Sequence, residues 1–130
     1  MASWGEIGRD SLLASQSLIQ QRRFRSSVNR AYFGLYALVT EQLKRRGHEP
    51  SMAERDNPGH QQMLVMLHHN LLQAEPRPAV KRQVKRASRT AQRARLVADY
   101  VPGQTVDRAL AISVLRDVYF VVQVIGGEVP

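Results

Sequence analysis

The segment from Arg22 to Arg46 constrains the fold more than any other. Phe24, Val28, Ala31, Leu35 and Leu38 advance by four, three, four and three residues, and Tyr32, Tyr36, Val39 and Leu43 form the adjoining stripe. That spacing predicts one long amphipathic helix. It closes on Lys44, Arg45, Arg46 and Gly47, cations in the last turn followed by glycine, the combination that satisfies a helix C-terminus. Gly34 inside such a helix costs about 1 kcal/mol relative to alanine, which points to a second helix crossing closely there.

Four further helices are expected around it. Trp4, Ile7, Leu12, Ala14, Leu18 and Ile19 recur at helical intervals. His48 to Pro58 has two prolines and no periodicity and reads as a loop. Met63, Leu64, Met66, Leu67, Leu71 and Leu72 make a third helix from about Gly59 to Gln73, and Pro76 and Pro78 bracket the next break. From Ala79 to Tyr100 a fourth helix has a narrow inner face of Val80, Val84, Ala87, Ala91, Ala94 and Ala98, and Pro102-Gly103 ends it. Thr105 is the expected N-cap of a fifth helix, with Asp107 in its first turn. The expected fold is a single-domain, all-α antiparallel bundle of about five helices over residues 1–130.

The fifth helix is apolar around most of its circumference, including Leu110, Val114, Val118, Tyr119, Phe120, Val122 and Ile125. Neighbours within the same bundle could supply that cover, but a second subunit is the simpler source, so a homodimer is expected. With 130 residues, 43% hydrophobic and 23% charged, the chain is long enough to bury one core without a staple. It has no cysteine, which excludes disulfides, thiol catalysis and cysteine-based zinc sites. The first ten residues hold two acids and no apolar run, and Ala109 to Ile125 is interrupted by Ser113, Arg116, Asp117 and Gln123. Neither a secretory signal nor a membrane span is expected, and the expected compartment is the cytoplasm.

The net charge of +8 is concentrated. Between Arg77 and Arg95 stand eight basic residues and no acid, while the other eleven basic residues are matched by eleven acids. Arg82, Arg86, Arg89 and Arg93 fall at steps of four, three and four, one continuous stripe on the fourth helix. Such a stripe suits a phosphate backbone, each cation neutralising a phosphate and releasing counterions. A solvated helix face or an acidic protein partner accounts for the same charges.

Asn29, Arg30, Ala31, Tyr32, Phe33, Gly34, Leu35 and Tyr36, after a Trp-initiated first helix, resemble the pattern Ser-Arg-Ala-Tyr-Tyr-Ala-x-Phe-His/Tyr-Ala of stand-alone prokaryotic HEPN domains (higher eukaryote and prokaryote nucleotide-binding). Arg95-Leu96-Val97-Ala98-Asp99-Tyr100, the Pro-Gly break and the apolar last helix resemble the Arg-x-x-Ala-Asp-Tyr ending of the same group, and Gly59-His60 the histidine that opens its third helix. The resemblance implies a helical bundle, usually dimeric, that binds or cleaves RNA or binds nucleotides, often in toxin or phage-defence systems. It also implies a possible nucleotidyltransferase-like partner protein.

Catalytic members of that family carry Arg, four to six residues and then His on the late helix. Here Asp99 stands four after Arg95, and Tyr100, Val101 and Pro102 occupy the next positions. The late helix therefore lacks the imidazole that would move a proton near neutral pH. A literal Arg-x4-His, Arg55 to His60, falls in the expected loop and reads as coincidence. A ribonuclease would need Tyr100 or His60 in the missing place, with Arg95, Asp99 and Arg30 as the other catalytic candidates.

Arg95 and Asp99, four apart, are expected to pair, with Arg30 joining them between the second and fourth helices. Tyr32, Tyr36 and Tyr100 read as core or interface aromatics before base-stacking platforms. The expected RNA- or nucleotide-binding set is Arg82, Arg86, Arg89, Arg93, Arg95, Arg30 and Tyr32. His68 and His69 point about 100° apart and His60 lacks a third partner at helical spacing, so no metal is expected. No phosphate loop, catalytic triad or paired carboxylates are present, and no cofactor is expected.

Overall fold

A computed structural model describes residues 2–48 and 59–130. Among them the secondary structure is entirely helical: α1 (Trp4–Gln20), α2 (Phe24–Arg45), α3 (His60–Met66), which runs directly into a π-helical turn (Leu67–Leu71), α4 (Pro78–Tyr100) and α5 (Arg108–Val124). The expected loop lies almost wholly outside the described residues, as does Arg55.

The caps explain most of the boundaries. Ser3 and Glu6 form a reciprocal capping box at the start of α1. Pro78 takes the first position of α4, where its missing N–H costs nothing. α2 ends as its sequence requires, with Gly47 in the left-handed region at φ 75° and the His48 N–H donating to the Leu43 carbonyl. α5 departs from expectation by starting later. Asp107, not Thr105, is the N-cap, its carboxylate accepting from the Leu110 N–H at 2.9 Å. Both residue types cap well, and the one whose oxygen reaches the third helical amide sets the start. The third helix is also shorter than its apolar pattern suggested. Its regular part ends at Met66, and the Leu72 N–H reaches five residues back to the Leu67 carbonyl.

α1 and α2 cross where both are narrowest. A Cβ added at Gly34 would stand 2.6 Å from Leu12 Cδ2 and 3.2 Å from the Gly8 carbonyl oxygen, and one at Gly8 would stand 2.6 Å from Leu38 Cγ. The close crossing expected at Gly34 is therefore present. Nearby, Ser15 and Ser27 are fully buried, each hydroxyl donating to the other's carbonyl at 2.9 Å, which pairs two polar groups that would otherwise be costly inside.

α4 packs Val84, Ala87, Ala91, Ala94 and Ala98 inward as its sequence predicts, with Ser88 added, its hydroxyl donating back to the Val84 carbonyl. α5 lies against α1, α2 and α4. Val114, Val118, Val121 and Val122 are fully buried, and Leu110, Ile112, Tyr119, Phe120 and Val124 are half-buried against the same core. The Tyr119 hydroxyl accepts from the Gln16 amide of α1. This corrects the premise of the dimer expectation. One chain covers much of the apolar girdle of α5, because α1, α2 and α4 pack against it. Among the described residues the exposed large apolar side chains are Leu13, Val65, Leu96, Tyr100 and Val101, none of them on α5.

Two arginines clamp helix ends. Arg25 of α2 donates to the carbonyls of Val97, Ala98, Val101 and Pro102 at 3.0 to 3.2 Å and to that of Gln104, so the cation sits on the negative end of α4. Arg46 donates to the carbonyls of Leu71 and Ile125, tying the π-helical turn to the end of α5.

Candidate nucleic-acid interface

The fourth helix is long because its sequence is almost free of breakers, and it is one-sided because small residues occupy every inward position. Its outward face from Lys81 to Arg93 is mostly cationic. Lys81, Arg82, Lys85, Arg86, Arg89 and Arg93 are all exposed, and none pairs with a described acid. Arg77, just before the helix, is taken by Glu75 at 2.7 Å. Arg82, Lys85, Arg86, Arg89 and Arg93 line one shallow depression with Thr90. The expected stripe is thus a continuous surface, widened by Lys85. Like charges held this close, without a compensating carboxylate, favour an anion that can lie along them.

At the C-terminal end of α4 the surface changes character. Arg95 Nε donates to Asp99 Oδ2 at 2.9 Å, the i, i+4 pair its spacing predicts, with side chains only 22% and 23% exposed. The third member is not Arg30. The Asn29 amide donates to the same Asp99 oxygen at 2.9 Å, while Arg30 is exposed and lies over the Phe33 ring at 5.5 Å. Successive residues on α2 point about 100° apart, and Asn29 is the one that faces α4. Arg30 nevertheless borders the shallow recess formed by Arg25, Asn29 and Asp99, within reach of a ligand placed there.

The Arg95 guanidinium also lies 5.8 Å from the centre of the Tyr32 ring and 5.6 Å from that of Tyr100. Tyr32 and Tyr36 are core residues. Tyr100 is not, being 67% exposed at the last position of α4, two residues beyond the inward-facing Ala98. Its open ring is the one tyrosine of the three free to stack on a base.

His60, which opens α3, joins this cluster. Its Nδ1 is 2.9 Å from the Tyr32 hydroxyl, and its ring packs 5.5 Å from that of Tyr32 and 5.2 Å from that of Tyr36. Burial and then the Arg95 charge hold its pKa below the usual histidine value, so it is neutral at pH 7. Burial pushes the Tyr32 hydroxyl up to about 12, against the opposing pull of Arg95, so that phenol keeps its proton. A neutral, accessible imidazole and a guanidinium thus flank one tyrosine ring. The late helix lacks an imidazole, as its sequence shows, but the cluster does not. No sequence spacing signalled this, since His60 and Arg95 belong to different helices.

Three other polar features escaped the sequence reading: Asn29 as partner of Asp99, the Arg25 clamp, and the row of cations on α4 that faces the π-helical turn. In that turn His68 lies half-buried beside Lys85, Arg89 and His69. Burial first, then those three neighbours, lower its pKa. Among the described residues no three histidine or carboxylate side chains are grouped to hold a metal, and no helix is long and apolar enough to cross a membrane.

The depressed histidines give stability a pH dependence. His60 and His68 bind protons less readily folded than unfolded, so acidification below their ordinary value of 6.5 favours the unfolded chain. The melting temperature should fall as pH drops from 7 toward 5, and the fall should be smaller in His60→Gln/His68→Gln. A double variant as acid-sensitive as the wild type would remove these two histidines from the account.

Compared with known proteins, the chain matches no family model and no curated sequence.

Proposed function

We propose that this protein is a HEPN-like RNA-binding bundle that grips the phosphate backbone of RNA through the outer face of α4, as an accessory or degenerate relative of toxin and defence ribonucleases acting in the cytoplasm. One observation carries the reading: six exposed cations on one helix without a single described acid in contact. The exposed Tyr100 ring and Arg95 at the end of that face support it, since a base leaving the backbone stripe meets an aromatic surface and a cation there. A second copy of the chain is a further partner that the HEPN resemblance implies.

An acidic protein, including a nucleotidyltransferase-like one, competes for the same charges. Competition between a single-stranded RNA and poly-glutamate of equal charge separates the two. The RNA reading expects RNA to displace poly-glutamate and Tyr100→Ala to weaken RNA alone. Equal displacement by both polymers, unaffected by Tyr100→Ala, would favour the acidic partner.

A second reading, a metal-independent ribonuclease, is favoured by the position of His60. A neutral imidazole could take the ribose 2′-hydroxyl proton as that oxygen attacks the phosphorus, and return it to the 5′-oxygen as the P–O5′ bond breaks, while Arg95 holds the phosphate, help worth about 10² to 10⁴ in rate. Asp99 is engaged by Arg95 and Asn29, and Tyr32 keeps its proton, so His60 alone is equipped as base. The binding reading expects no RNA cleavage above background in the presence of a chelator. Cleavage by the wild type that is lost in both His60→Ala and Arg95→Ala would establish the enzyme instead.

A further inference from the structure

The outer stripe does not account for all the cations of α4. Lys81, Lys85 and Arg89 follow one another at four-residue steps and so form their own row along the helix. That row, together with Arg82, borders a groove of about 400 Å³ between α4 and the π-helical turn, within the range of roughly 300 to 1,000 Å³ common for small-molecule sites. The opposite wall is His68, with Val65 and Leu72 supplying apolar surface. Val65 is 54% exposed, unusual for a valine beside a core, and it has no described neighbour covering it.

Two further observations point to a ligand here. His68 Nε2 is sealed from solvent and has no hydrogen-bond partner among the described residues. Such an atom is costly to leave unpaired, and a ligand in the groove would reach it only through a turn of the His68 ring. The π-helical form is rare; here it ends the third helix and carries both His68 and His69. The charge also exceeds what a chain of diesters needs at one point. A phosphodiester brings one negative charge, whereas a terminal phosphate brings about −1.5 to −2 and three acceptor oxygens.

We infer that this groove is a phosphomonoester site: the phosphate of a nucleoside monophosphate, free or as the 5′ end of an RNA, seats on Lys81, Lys85 and Arg89, while its base lies on the exposed Val65. The inference deepens the RNA-binding reading and rests on it for the choice of a nucleotide. It assigns the inner row of α4 a ligand distinct from the backbone held by the outer stripe.

Calorimetric titration of the intact protein with AMP, adenosine and inorganic phosphate tests it. AMP should bind more tightly than either of its parts, and Lys81→Gln or Lys85→Gln should each weaken it about tenfold, the scale of one charged hydrogen bond. Arg86→Gln, outside the groove, should leave AMP binding unchanged. The His68 imidazole, followed by NMR, should titrate at higher pH with AMP bound, because the phosphate then offsets Lys85, Arg89 and His69. All three α4 residues substituted are exposed, so the variants should melt as the wild type does. A preference for 5′-phosphate over 5′-hydroxyl RNA identifies an RNA end as the source, and AMP binding without that preference identifies a free nucleotide. AMP that does not bind, or binds equally well to Lys85→Gln, while 5′-hydroxyl RNA still binds, overturns the groove and leaves the outer stripe intact. AMP binding by a protein that ignores 5′-hydroxyl RNA upholds the groove and removes the stripe.

Discussion

Gly34→Leu should destabilise the fold by about 3 to 5 kcal/mol and lower the melting temperature by about 10 to 20 °C. The first atom of any side chain there meets Leu12 Cδ2 at 2.6 Å and the Gly8 carbonyl at 3.2 Å. Leu12 could turn aside for a methyl group, but the Gly8 carbonyl is backbone and moves only if α1 moves. Alanine should therefore be milder. It gains about 1 kcal/mol of helix propensity and loses about 1 to 3 to overpacking, a net cost of about 0 to 2 kcal/mol. Leucine keeps the propensity gain but must place three more carbons in a crossing with no room for one. Against a total stability of about 5 to 15 kcal/mol this is a large share. Gly103→Leu is the control, since nothing lies within 4 Å of a Cβ there. Chemical denaturation that places Gly34→Leu within 1 kcal/mol of the wild type would show that α1 and α2 do not cross as described.

Arg82, Arg86, Arg89 and Arg93 replaced together by glutamine should weaken single-stranded RNA binding about a hundredfold at 0.15 M salt. Each lost phosphate contact removes about 0.7 from the slope of log affinity against log salt, so four remove about three units. The effect should be largely additive, because the four side chains are exposed and none holds another through a shared acid. The net charge falls from +8 to +4, counting four cations removed. Arg108→Gln/Arg116→Gln removes two exposed cations from α5 and should change affinity by less than threefold, about what general attraction alone would give. Melting temperatures should not move in either variant, since neither set is part of the core. If the α5 pair costs as much as the α4 stripe, binding depends on total charge and not on this face.

Much of the architecture follows from periodicity. The α2 stripe, the alanine face of α4 and the Gly34 crossing could be read from spacing because each is a property of one helix face. The Arg95–Asp99 pair was legible for the same reason, both partners being on one helix one turn apart. What depends on how helices meet was not. The Arg25 clamp and the Asn29 contact need the angle between α2 and α4, which no single-helix pattern contains. His60 joins Arg95 through the Tyr32 ring, an arrangement set by where α3 starts after a long connection. The cover of α5 was misjudged because a circumference of apolar residues says that neighbours are needed, not how many the same chain supplies. The start of α5 turned on one side-chain oxygen: Thr105 and Asp107 are both good caps, and only the geometry of the first turn chooses between them.

The two faces of α4 divide the binding account. The outer stripe suits a polymer held by charge and position, and the Tyr100 end gives that polymer a place to stack a base. The row facing the π-helical turn is suited to a small anion. Arg82, Lys85 and Arg89 border both surfaces, so the loss of any of them should weaken both ligands, whereas Arg86 and Lys81 each report on one.

The most direct test of the central claim is the affinity of the wild-type protein for a 5′-hydroxyl single-stranded RNA measured between 50 and 300 mM salt. Five exposed cations line the outer depression of α4, and if each meets one phosphate they predict a log-log slope of about −3.5. A slope near zero, or no binding at the lowest salt, would contradict it.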